Sequence, residues 1–206
     1  MSALLIIDVQ YDFMEGGSLE VNDASAILDP INELRKKMKF DLVVLSQDWH
    51  PQDHVSFASN NPGKKPFDTM PYHGGVQVLW PNHCVQGSHG SDFHSGLYRE
   101  PEDVVVRKGM DRLVDSYSAF MDNDHKRKTE MDQVLKAANI HTVYVCGIAS
   151  DYCVAFTCLD AVAAGYKTYL LEDACRGVAP DTTASQFNKL KENNVTFIRC
   201  SDLCKQ

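Results

Sequence analysis

Short apolar runs alternate along the chain with stretches whose apolar residues recur at helical spacing. Leu4–Val9, Leu42–Ser46, Val104–Val106, Thr142–Cys146, Thr168–Leu171 and Thr196–Arg199 are apolar or β-branched on both faces. Polar or turn residues bound each run, the pattern of strands buried on both sides. Ile27, Ile31, Leu34 and Met38 follow helical spacing, with Asp29-Pro30 in the first turn. Met131, Val134, Leu135 and Ala138 do the same behind Thr129, a good N-cap residue. Cys153 to Ala164 is apolar nearly all round, which predicts a helix buried against a sheet, and Ala184, Phe187 and Leu190 mark a last helix after Pro180 and Asp181. Strand–helix alternation of this kind predicts an α/β fold with a mostly parallel, doubly wound sheet. Ligands of such sheets bind beyond the carboxyl ends of the strands, so chemistry is expected just after strands. The stretch from Asp48 to Glu102 is rich in Gly, Pro, Asn and His. An irregular segment that long is expected to be functional.

With 206 residues, 44% hydrophobic and 23% charged, the chain is expected to form one domain over residues 1–206. A net charge of -8 repels phosphate backbones, so no nucleic-acid partner is expected. The one basic cluster, Lys126-Arg127-Lys128, lies among Asp122, Asp124 and Glu130 and reads as a solvated loop. The apolar start, Ala3 to Ile7, has no basic region before it and no cleavage site after it, and no run is long enough to cross a bilayer. Seven scattered cysteines fit no complete disulfide framework. A cytoplasmic, reducing setting without membrane contact is therefore expected.

Asp8 closes the first apolar run, where burial raises a carboxyl pKa and suits a general base or proton shuttle; a turn-former is the plainer reading. Cys153 follows a strand and a small-residue turn at the start of a helix. The positive helix end there is expected to favour the thiolate, and the turn can aim N–H groups at an oxyanion. Cys146, Cys158, Cys175 and Cys200 read as inert core thiols. Lys108 follows Val104–Arg107, so three reactive groups each fall after a strand. Asp48, His50, His54 and His83, four candidate ligands within one long loop, offer an N/O ligand set for Zn, Mn or Fe. Phe13, Trp80 and Tyr117 stand near these motifs, where core packing is the simpler role.

Taken together, Asp8-Val-Gln-Tyr-Asp-Phe13, Gly16-Gly-Ser-Leu19, Asp48-Trp-His50, Trp80-Pro-Asn-His-Cys-Val85, Arg107-Lys-Gly109, Ser116-Tyr-Ser-Ala-Phe120 and Gly147-Ile-Ala-Ser-Asp-Tyr-Cys-Val154 resemble the isochorismatase-like hydrolase superfamily, in particular its nicotinamidase/pyrazinamidase branch. The likeness runs from Ala3 to about Phe197. It implies a six-stranded parallel sheet with helices on both faces. It also implies hydrolysis of nicotinamide to nicotinic acid and ammonia through a Cys153 thioester, with pyrazinamide accepted and the product feeding NAD salvage. The resemblance makes Asp8, Lys108 and Cys153 catalytic, with backbone N–H groups of Ala149 and Cys153 as oxyanion donors. It places Phe13, Leu19, Trp80, Tyr117 and Ile148 around the substrate and a divalent ion, zinc before iron or manganese, on Asp48, His50 and His83. It further implies a cis bond between Ile148 and Ala149. Tyr152 departs from relatives that carry histidine there. Hydrolases of carbamoyl or ureido substrates lack the two metal motifs, isochorismatases proper lack the working cysteine, and a silent scaffold has no reason to keep all three reactive residues. Assembly as a homo-oligomer is left open.

Overall fold

The computed structural model describes residues 1–205; Gln206, the last residue of the expected domain, lies outside them. Six strands form one parallel sheet: β1 (Ser2–Ile7), β2 (Leu42–Asp48), β5 (Val104–Lys108), β6 (Thr142–Ile148), β7 (Lys167–Arg176) and β8 (Thr196–Ile198). Their order is β5-β2-β1-β6-β7-β8. Each corresponds to an apolar run of the sequence. The helices α1 (Leu28–Lys37), α2 (Met131–Ala137), α3 (Cys153–Ala163) and α4 (Pro180–Glu192) fall where the helical spacing lies. The long loop region hides an antiparallel hairpin, β3 (Thr69–Tyr72) and β4 (Gly75–Val78), and a short α5 (Cys200–Leu203) closes the chain.

Ala3 to Ile7 are fully buried at the centre of the sheet, which is why β1 carries no polar alternation. The chain leaves β1 towards β2 and leaves β6 towards β7, so the strand order reverses between these two neighbours. A crevice opens at the carboxyl ends of strands at such a switch point. Here those ends are Asp8 and the turn after Ile148. They approach closely because Gly147 pairs with Ile7 at a φ of 119°; a Cβ there would lie 2.1 Å from the Ile7 carbonyl oxygen. Only glycine admits both the approach and the conformation.

Candidate active site

Four side chains, from three strand ends and the start of α3, meet in the crevice. Asp8 follows β1 at a φ of 49°, a conformation that aspartate tolerates better than most residues. Its Oδ1 accepts a hydrogen bond from the Ser46 hydroxyl at 2.6 Å. Lys108 ends β5, and its Nζ lies 2.9 Å from Asp8 Oδ2, 2.5 Å from Asp48 Oδ1 and 3.3 Å from Cys153 Sγ. A fourth contact, to the Ser116 carbonyl at 2.9 Å, completes the shell of this buried ammonium. Carboxylate oxygens of Asp8 and Asp48 and the Cys153 sulfur lie within 4.8 Å of one another. Sequence order alone separates these residues by up to 145 positions, and the parallel sheet brings them to one edge.

The electrostatics follow from burial. Removal from water pushes the Asp8 carboxyl up, and Asp48 adds to this against the partial counterweight of Lys108. Burial would also raise Asp48, but Lys108 and His50 reverse it and hold that carboxyl well below the usual range. The same two carboxylates overcome burial at Lys108 and raise its pKa well above the ordinary lysine value. Cys153 departs from the sequence expectation. Burial, reinforced by Asp8 and Asp48, pushes its thiol well up, and Lys108 offsets only part of this. Burial thus favours the protonated sulfur, which gives a neighbouring base a proton to remove.

Beside this cluster, Asp48 Oδ2 lies 3.3 Å from His50 Nε2 and 3.7 Å from His83 Nε2. The other ring nitrogens meet carbonyls, His50 Nδ1 with Gly109 at 2.7 Å and His83 Nδ1 with Pro81 at 2.8 Å. That arrangement puts protons on Nδ1 and leaves both Nε2 lone pairs facing the carboxylate. The buried Nε2 of His50 has no hydrogen-bond partner. One carboxylate oxygen and two imidazole nitrogens, buried and converging, fit a divalent metal ion with open positions for a ligand. Gly109 sits at a φ of +66° against the His50 ring, where a Cβ would come within 2.3 Å of Cε1. His54 is engaged on both sides, by Ser56 Oγ at 2.7 Å and the Val114 carbonyl at 3.2 Å. Burial and the neighbouring His50 push its pKa down to about 4, so it supports the ligand set as a neutral ring.

A mostly apolar cavity opens onto Cys153, Asp48 and His83, walled by Phe13, Leu19, Trp80 and Tyr117. Val21, Asp115 and Val178 also line it and were not singled out in the sequence; Tyr152, noted there as a departure from relatives with histidine, lines it too. Ile148 is fully buried behind the wall and is not among the lining residues; Ala149, the next residue, is. The Ile148–Ala149 peptide bond is cis.

Three supporting residues also escaped sequence reasoning. The Gln10 carboxamide accepts from Asp48 N–H at 2.9 Å and donates to its carbonyl at 2.8 Å, holding the end of β2 as a strand partner would. Asp12 Oδ2 accepts from Cys84 N–H at 2.7 Å, tying the Phe13 segment to the residue after His83. Ser46 clasps Asp8 from both its hydroxyl and its backbone. The signal for the first two was their place within the Asp8–Phe13 segment.

An isochorismatase domain model matches residues 2–202. The chain belongs to the isochorismatase family. Within this family, the curated nicotinamidase of Acinetobacter baylyi is 47% identical over 85% of this chain and 81% of its own. The solved Acinetobacter baumanii nicotinamidase/pyrazinamidase superimposes with a TM-score of 0.94 at 47% identity, covering 98% of this chain and 97% of that one. The Pyrococcus horikoshii pyrazinamidase, solved in complex with zinc, gives a TM-score of 0.79 at 30% identity over 96% of this chain and 98% of its own. No helix among the described residues is long and apolar enough to cross a membrane.

Proposed function

We infer that the protein hydrolyses nicotinamide to nicotinic acid and ammonia. Pyrazinamide, a ring carboxamide of the same size, is a second substrate, and the acid feeds NAD salvage. The observation that carries the mechanism is the buried meeting of Asp8, Lys108 and Cys153, with Cys153 lining an aromatic-walled cavity. Asp8, its carboxyl raised by burial, takes the proton from Cys153. The sulfur adds to the carboxamide carbon, and the carbonyl π pair moves to oxygen, facing the N–H groups of Ala149 and Cys153. The pair returns, the C–N bond breaks, and Asp8 delivers its proton to the departing nitrogen. Asp8 then deprotonates a water that attacks the thioester carbon, the C–S bond breaks, and the thiol is restored. Lys108 holds both carboxylates in place throughout. Phe13, Leu19, Trp80 and Tyr117 enclose the ring. Asp48, His50 and His83 would hold one divalent ion, zinc in our reading, which supplies a Lewis-acid anchor for the pyridine nitrogen. Seven cysteines without a disulfide support a reducing cytoplasmic setting.

The test is ammonia release from nicotinamide by the reduced protein, before and after chelation, with Cys153→Ala beside the wild type. Turnover that disappears on chelation and returns with zinc, and a folded but inactive Cys153→Ala, are expected. Retained turnover in that variant sinks the thioester route. No turnover by metallated, reduced wild type sinks the substrate assignment.

A further inference from the structure

The turn between β6 and α3 has to hold two N–H groups ready for a developing negative charge. Neither the Ala149 nor the Cys153 N–H donates to a protein acceptor among the described residues. Unpaired donors stay aimed only if the backbone around them is fixed from elsewhere. Two attachments do this, and both reach the connection between β7 and α4. Ser150 N–H donates to the Arg176 carbonyl at 2.8 Å. Asp151, only 1% exposed, accepts three hydrogen bonds: from Val178 N–H at 2.9 Å, Ala179 N–H at 3.1 Å and the Thr182 hydroxyl at 2.5 Å. All three donors belong to the start of α4 or its approach, and Val178 lines the substrate cavity.

We propose that Asp151 is a positioning residue for the oxyanion hole, clamping the Ala149–Cys153 turn to the Val178–Thr182 segment. It lies two residues from each proposed oxyanion donor and touches neither the nucleophile nor the cavity. The carboxylate acts through the backbone it fixes, and the distance between the oxyanion donors and the Val178 wall is set by its three bonds. This inference rests on the hydrolytic reading above. The plainer role is a remote cap for α4, whose own N-cap residue, Ala179, has no side-chain acceptor. A cap contributes stability and leaves the balance between ground-state and transition-state binding untouched.

Asp151→Asn separates the two, because an amide nitrogen cannot accept and at least one donor loses its partner. The expected result is a fall in kcat for nicotinamide of about 10- to 100-fold, with KM within threefold. Nicotinaldehyde gives a second readout: Asp8 takes the Cys153 proton, the sulfur bonds to the aldehyde carbon, and the carbonyl π pair moves onto oxygen in the hole. Its inhibition constant should rise with the loss in kcat, while that of nicotinic acid, held by its ring, changes less than threefold. Hydrogen exchange should quicken across Ala149–Cys153 and stay unchanged in β6. Thr182→Val, at an exposed position, should move all of these the same way by a smaller factor in a folded protein. An unchanged kcat, or equal weakening of both ligands together with a lower Tm, would overturn the proposal. Wild type that releases no ammonia would sink the hydrolytic reading instead. Exchange then still decides the clamp, which falls if the turn is equally protected in variant and wild type.

Discussion

The Nζ of Lys108 stands 3.3 Å from the Sγ of Cys153, with the lysine side chain entirely shielded from solvent. A buried ammonium of this kind is held by its counter-charges. Asp8 and Asp48 supply them at 2.9 and 2.5 Å, so the lysine neutralises two carboxylates that would otherwise repel each other in a low-dielectric site. Lys108→Met keeps the length and removes the charge. It should abolish turnover and lower unfolding stability by about 3–5 kcal/mol, the usual loss when one partner of a buried ion pair is removed. Urea denaturation measures this, and a loss below about 1 kcal/mol would show that the carboxylates do not depend on the lysine.

In the proposed mechanism Asp8 and Cys153 exchange one proton. Burial raises both groups above their ordinary values. Asp8→Asn retains the shape and an acceptor for Ser46 but cannot take the proton. A fall in kcat of about 100- to 10,000-fold is expected, with nicotinic acid binding within threefold of wild type. Steady-state kinetics and product inhibition check the two halves separately. A variant that turns over at a tenth of the wild-type rate would assign the proton transfer elsewhere.

The positions of these groups were legible because each follows an apolar run, and a doubly wound sheet turns that local fact into a common edge. Tertiary effects were less legible. The helix start at Cys153 suggested a stabilised thiolate, yet burial beside two carboxylates pushes the thiol up. The β3–β4 hairpin left little trace because Thr69–Tyr72 contains Pro71 and alternates exposed with half-buried positions on a surface flap. The partnerships of Gln10 with Asp48 and of Ser46 with Asp8 each span 38 residues. Uncharged polar side chains reveal such pairings only once strand register is known. Ile148 was placed at the substrate by resemblance, whereas it ends β6 fully buried in the core and Ala149, beyond the strand, lines the cavity.

Gly109 provides a test of the ligand set that leaves every ligand in place. A methyl group there would meet the His50 ring at 2.3 Å, and the φ of +66° already disfavours alanine. Gly109→Ala should tilt His50 and disturb the carbonyl that fixes its tautomer at 2.7 Å. Perturbing the partner of a ligating histidine typically costs about 10- to 100-fold in metal affinity. Competition with a chromophoric chelator reads this directly, without reference to turnover. Zinc retained as tightly as in wild type would argue against His50 as a ligand.

Asp122 gives the protein's stability a pH dependence of its own. Burial, with Asp124 and Asp115 nearby, raises its carboxyl from 3.8 to about 6, and Lys108 and Ser116 offset only part of this. The folded state therefore binds this proton more tightly than the unfolded chain does. Its favourable contribution is complete below about pH 4 and is lost as pH rises through about 6. Above that, an ionised Asp122 stands near the two like charges of Asp124 and Asp115. Asp122→Asn removes the charge, so it should be more stable than wild type at pH 7–8 by about 1 kcal/mol, a figure already reduced for solvent screening. The difference should shrink steadily below about pH 6 and vanish near pH 4. Thermal melts of both proteins across that range measure it. A gap that stays constant with pH would mean that the substitution acts through packing and not through the carboxylate's charge.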